Sequence, residues 1–157
     1  MIKEEKLVKL LIKRNMTIAF AESITGGLCA ATLINVDGAS NVIKESIVTY
    51  SNEAKNKYLD VPFDMINKYG VVSPQVAIMM AIGIKNQAAS SIGVGVTGYA
   101  GEYGDEFTKG KTVFFAISKN DTATSYEYHF DGLSRNEIRH KIVDIIFEYL
   151  LSCLDGE

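Results

Sequence analysis

The stretch Thr17-Ile18-Ala19-Phe20-Ala21-Glu22-Ser23-Ile24-Thr25-Gly26-Gly27 decides the fold class. Its first five residues are short, β-branched and aromatic, the composition of a buried strand. A polar turn with two adjacent glycines follows, and residues 28–34, rich in Ala and Leu, read as a helix. A buried strand that turns at once into a helix opens an α/β unit. Backbone N–H groups at such a helix start point outward, and the helix dipole favours an anion there. Three readings of the turn are open. Ser23 or Thr25 caps the helix, or the turn binds a phosphate or carboxylate, or Ser23 is a nucleophile held at the turn. A Walker loop is excluded, because its glycine spacing and its lysine are missing.

Working outward, residues 2–14 carry Leu7, Leu10 and Leu11 at helical spacing with lysines between them. Residues 42–50 read as a strand, 52–59 as a short polar helix, and Pro62 opens another helix to residue 67. Ser73-Pro74 is a capping hydroxyl followed by proline at the first helical position, and that helix runs to about residue 89. Residues 91–96 form a strand of small residues, and 98–111 a long polar loop. Residues 112–118 and 122–130 pair as a hairpin through Lys119-Asn120-Asp121, and Ser134 caps a last helix to residue 153. Helices alternate with strands and a hairpin follows, which implies an α/β layered fold with a mixed sheet. Ligands of such sheets lie beyond the carboxyl ends of the strands. Three polar clusters fall at those ends: residues 22–27, 50–55 and 97–101.

Composition bounds the rest. The chain has 157 residues, read as one domain over 1–157, with 47% hydrophobic and 22% charged residues. That excludes a disordered or collagenous chain. No apolar run approaches the roughly 20 residues that span a bilayer, and no signal-peptide pattern is present. The net charge of −3 argues against a nucleic-acid partner. Cys29 and Cys153 read as reduced core thiols of a cytoplasmic protein. His129 and His140 have neither triad nor ligand spacing, and no metal site is expected.

Other residues could carry chemistry. Lys55, a turn into its helix, can point back over the strand end as a base for a serine if burial lowers its pKa; the competing reading is a solvated surface lysine. Thr97-Gly98 ends a strand where small residues let a ligand approach, or is merely a tight turn. Arg135 and Arg139 share a helix face at i and i+4, suited to a phosphate or to surface ion pairs.

The combination resembles a known family. Residues 21–27, Ala-Glu-Ser-Ile-Thr-Gly-Gly, resemble the "AESCTGG" signature of the CinA C-terminal domain family, the nicotinamide-nucleotide amidohydrolases. Val48-Thr49-Tyr50-Ser51-Asn52-Glu53-Ala54-Lys55 matches its "VTYSNEAK", and Thr97-Gly98-Tyr99-Ala100-Gly101 its "SGIAG". Gly70-Val71-Val72-Ser73 and Met80-Ala81-Ile82-Gly83 also fit in order, and coverage runs from Met16 to the end. The resemblance implies a three-layer α/β sandwich whose mixed sheet is flanked by helices. It implies hydrolysis of the carboxamide of nicotinamide mononucleotide (NMN) to nicotinate mononucleotide and ammonia, with no metal or organic cofactor, and a homo-oligomer. Residue by residue it implies Ser23 as nucleophile, Lys55 as base and Tyr50 as a hydrogen-bonding or stacking aid. Amides around Thr25, Gly26 and Gly27 would hold the oxyanion. Ser51, Asn52, Thr97 and Gly98 would line the nucleotide site, with Arg135 and Arg139 on the 5′-phosphate. A competing assignment makes the Ser23 turn the phosphate cradle and leaves Ser51 or a water as nucleophile.

The chain departs from the family at "GIAGP-GG". Glu102 replaces the proline, Ile24 replaces the cysteine of the signature, and Glu102, Asp105 and Glu106 now populate the loop. Three functions remain in view: an NMN amidohydrolase, an amidohydrolase of another small amide, and a catalytically silent nucleotide-binding module. Hydrogen-bond reach between Ser23 and Lys55 separates the first from the third. The directions of the three carboxylates bear on the second.

Overall fold

The computed structural model describes residues 1–155. Its elements in chain order are α1 (Lys3–Lys13), β1 (Ile18–Glu22), α2 (Leu28–Leu33), β2 (Ile43–Val48), α3 (Asn52–Leu59), α4 (Phe63–Tyr69), α5 (Pro74–Ala88), β3 (Ile92–Gly98), β4 (Thr112–Lys119), β5 (Thr122–His129) and α6 (Arg135–Asp155). A short 3₁₀ turn, Ala39–Asn41, precedes β2. The expected elements are all present, with ends moved by a residue or two.

The strands form one five-stranded sheet in the order β2-β1-β3-β4-β5. β1 pairs in parallel with β2 and β3, and the β3–β4 and β4–β5 pairs are antiparallel. The sheet is therefore mixed, as the element pattern predicts. Alternation along β1 assigns its two faces. Ile18 and Phe20 pack with Leu7, Leu11, Ile142 and Phe147, which belong to α1 and α6. Ala19 and Ala21 pack with Leu59, Ile66, Val76 and Met80, from α3, α4 and α5. Helices thus cover both faces in three layers.

The opposite face is lined by small residues for a steric reason. At Gly95 a Cβ would lie 2.5 Å from the Ala77 carbonyl oxygen and 2.6 Å from the Ala81 nitrogen, so α5 rests directly on the β3 backbone. This close seating draws the α4–α5 junction toward the carboxyl end of β3. From β1 the chain goes to β2 on one side, then crosses through α3, α4 and α5 to β3 on the other. The β1–β3 junction is consequently the place where strand order reverses and a crevice opens.

Candidate active site

β1 ends at Glu22, and Ser23 is the first residue past it. The turn behind Ser23 is held from three directions. The Gly26 N–H donates to the Ser23 carbonyl at 3.0 Å. Gly27 takes φ +103°, a conformation costly for any residue with a Cβ, and starts α2. Arg139 reaches across from α6, its Nε donating to the Ile24 carbonyl at 2.9 Å and its Nη2 to the Thr25 carbonyl at 3.1 Å.

The amides at the start of α2 already have an anion. The fully buried Glu22 carboxylate accepts from the Cys29 N–H at 2.8 Å, the Ala30 N–H at 3.2 Å and the Ser46 hydroxyl at 2.9 Å. A buried carboxylate is tolerated because these donors replace its water. The Cys29 and Ala30 amides are thereby taken by a protein carboxylate.

Past β2, the Ser51 Oγ accepts from the Ala54 N–H at 3.1 Å and caps α3. The cap fixes the first turn of the helix, and Lys55 leaves that turn toward the protein interior. Its side chain is only 2% exposed. The Nζ lies 2.7 Å from the Thr49 carbonyl and 3.2 Å from the Ser23 Oγ. Burial pushes the ammonium down to about 8 from 10.5. A neutral amine in this place keeps one N–H on the Thr49 carbonyl and offers its lone pair to the Ser23 O–H. The surface-lysine reading is therefore excluded, and the pair has the geometry of a nucleophile and its base.

Ser23 and Lys55 open into a cavity of about 400 Å³. Tyr50, Asn52, Thr97, Gly98 and Arg135 line it too, so all three polar clusters converge at the strand ends. Thr97 contributes its position more than its hydroxyl, which donates to the Val71 carbonyl at 3.0 Å and ties β3 to the α4–α5 junction. Tyr50 stands 68% exposed on the cavity wall. Arg135 is exposed at the start of α6, and among the described residues it has no hydrogen-bond or ion-pair partner.

Five expected residues lie outside the lining: Thr25, Gly26, Gly27, Ser51 and Arg139. The glycines and Thr25 shape the turn behind Ser23, Ser51 is a cap, and Arg139 spends its donors on turn carbonyls. Arg139 thus braces the turn from outside the cavity lining. Sequence reasoning missed Ile24, Val71, Val72 and Tyr103 as lining residues, while Tyr99, Ala100 and Gly101 fall in the cluster at residues 97–101 and Glu102 in the departing loop. The Tyr99 hydroxyl donates to Asp105 Oδ2 at 2.8 Å, and burial with that carboxylate pushes the phenol up to about 12. The family motifs had drawn attention to Ile24, Val71 and Val72 without giving them a role at the site, and Tyr103 carries no local signal. Cys29 is buried, Cys153 is half-buried, and both are free. His129 bonds with Thr112 and Asp131 away from the cavity. Among the described residues no group of three or more His, Cys, Asp or Glu could hold a metal ion. No helix there is long and apolar enough to cross a membrane.

Fold and site together define a three-layer α/β protein with a buried serine–lysine pair where strand order reverses. Residues 2–154 match the model of the CinA C-terminal domain, and the chain belongs to that family. A competence-damage inducible protein of Alkaliphilus oremlandii is 47% identical over 137 residues, 87% of this chain and 33% of the relative. One from Clostridium novyi is 44% identical over 150 residues, 94% of this chain and 36% of the relative. The chain therefore spans about a third of the length of these curated relatives. Among solved structures, a CinA superfamily protein from Escherichia coli aligns at TM-score 0.93 and 29% identity, over 97% of this chain and 88% of that one. A competence/damage inducible protein from Agrobacterium tumefaciens aligns at 0.87 and 30% identity, over 97% and 96%.

Proposed function

We propose that this chain hydrolyses the carboxamide of NMN to nicotinate mononucleotide and ammonia. The observation that carries the reading is the 3.2 Å approach of the buried Lys55 Nζ to the Ser23 Oγ at the floor of the cavity. With its pKa near 8, about a tenth of Lys55 is neutral at pH 7. Neutral Nζ takes the proton from Ser23, and Oγ forms a bond to the amide carbon. Collapse of the tetrahedral intermediate breaks the C–N bond as Lys55 returns its proton to the leaving nitrogen, releasing ammonia. Water, deprotonated by Lys55, then cleaves the serine ester and frees the carboxylate. The exposed Tyr50 ring is a wall for the pyridine, and unpartnered Arg135 is the cation for the 5′-phosphate. Family membership supports the same reading, and a homo-oligomer is part of this proposal.

Ammonia release from NMN by the purified protein tests this, with Ser23→Ala and Lys55→Ala in parallel. Each substitution is expected to lower kcat by about 10³-fold or more while the fold is kept. A folded wild-type protein that releases no ammonia above background would overturn the reading.

A further inference from the structure

The acidic loop that separates this chain from the family pattern places one acidic residue of three in the cavity wall. Asp105 faces its own loop, accepting from the Phe107 and Thr108 amides and the Tyr99 hydroxyl, each at 2.8 Å. Glu106 is not part of the cavity wall, whereas Glu102 is. Arg135 lines the same cavity, close to the backbone beside Glu102. The Cβ that its neighbour Gly101 lacks would stand 3.6 Å from Arg135 Nη2. Among the described residues, neither Glu102 nor Arg135 has a hydrogen-bond or ion-pair partner, so both charges are uncommitted.

We propose that Glu102 sets the charge preference of this cavity. Its carboxylate opposes a phosphate ester at the Arg135 end, so that the unphosphorylated nucleoside amide competes as a substrate. The charges lining the cavity are Lys55, Arg135 and Glu102. Attack requires Lys55 to be neutral, which leaves one positive and one negative charge. Such a wall offers no net attraction to a phosphate dianion. A cavity of about 400 Å³ is only on the order of 10 Å across, comparable with the Debye length at physiological salt, so salt screens a ligand inside from Glu102 only in part. A nucleoside has no phosphate to be repelled. Its ribose hydroxyls can donate to Glu102, and its pyridinium charge is attracted by the same carboxylate.

This inference rests on the amidase reading, and binding separates the two. Titration calorimetry would compare Ser23→Ala with Ser23→Ala/Glu102→Gln, using NMN and its dephosphorylated nucleoside as ligands. Exposed Glu102 tolerates a neutral isostere without disturbing the core. The affinity ratio of phosphorylated to unphosphorylated ligand should rise roughly 3- to 10-fold in the double variant at low salt, and the rise should shrink at about 0.5 M salt. An unchanged ratio, or an equal shift for both ligands, overturns the role of Glu102 even if the wild type turns over NMN. A raised ratio without turnover by the wild type upholds Glu102 and sinks the amidase reading alone. Failure of both ligands to bind overturns both.

Discussion

Lys55 shows how a single residue acquires chemistry from its surroundings. The unfolded chain leaves its ammonium in water, near 10.5, while the folded site drops it to about 8. The fold thus binds this proton more weakly than the unfolded chain does. Stability is expected to rise as pH climbs from about 8 to about 10.5, and the penalty is complete below about 8. The gain should be up to about 3 kcal/mol and should vanish in Lys55→Met, as urea titrations across that range would read. Catalysis shares the titration: kcat/KM for amide hydrolysis should increase with pH and level off above about 8. A flat stability difference between wild type and Lys55→Met across this range would contradict the assignment. Glu22 is the complementary case. Glu22→Ala strands the Cys29 and Ala30 amides and the Ser46 hydroxyl, and should cost about 3 kcal/mol by thermal unfolding.

At the scale of elements, the start of α6 divides its two arginines. The i and i+4 spacing placed Arg135 and Arg139 on one face, and periodicity alone treats them as equivalents. Their positions along the helix decide otherwise. Arg139 meets the carbonyls of Ile24 and Thr25, while Arg135 stands a turn earlier, over the cavity. Arg139→Ala is expected to lower stability by about 1–3 kcal/mol and to reduce kcat through the loosened Ser23 turn, leaving the preference between NMN and its nucleoside unchanged. Arg135→Ala should instead raise KM for NMN with little change in the melting temperature. Steady-state kinetics on both ligands, beside melting curves, would tell these outcomes apart.

The whole molecule rests on how closely α5 approaches the sheet. Gly95→Ala places a methyl group against the Ala77 carbonyl and the Ala81 nitrogen, both backbone atoms of α5 that cannot rotate away. Separation of α5 from β3 is the only relief, and about 3 kcal/mol of destabilisation is expected in equilibrium urea unfolding. Because α5 also carries the α4–α5 junction toward the cavity, through the Thr97 bond to Val71, the same substitution should weaken ligand binding. An unfolding midpoint equal to that of the wild type would show that the seating is looser than the backbone geometry requires.

The elements of this fold were legible in local sequence because their causes are local. Ser73-Pro74 starts α5 with a capping hydroxyl and a proline, and the polar Lys119-Asn120-Asp121 segment turns the β4–β5 hairpin. The motifs around Ser23 and Lys55 were legible as well, and they carried the family. What the sequence left open was whether those residues meet, since they are 32 positions apart and strand order is not written in any one segment. Only the tertiary structure placed β1 between β2 and β3, which brings the ends of all three strands to one crevice. It also settled what each polar group has left to offer. The Glu22 carboxylate takes the Cys29 and Ala30 amides, Arg139 bonds the Ile24 and Thr25 carbonyls and Asn136, and Arg135 and Glu102 remain uncommitted. A side chain's free valence depends on neighbours distant in sequence, and those neighbours exist only once the chain is packed.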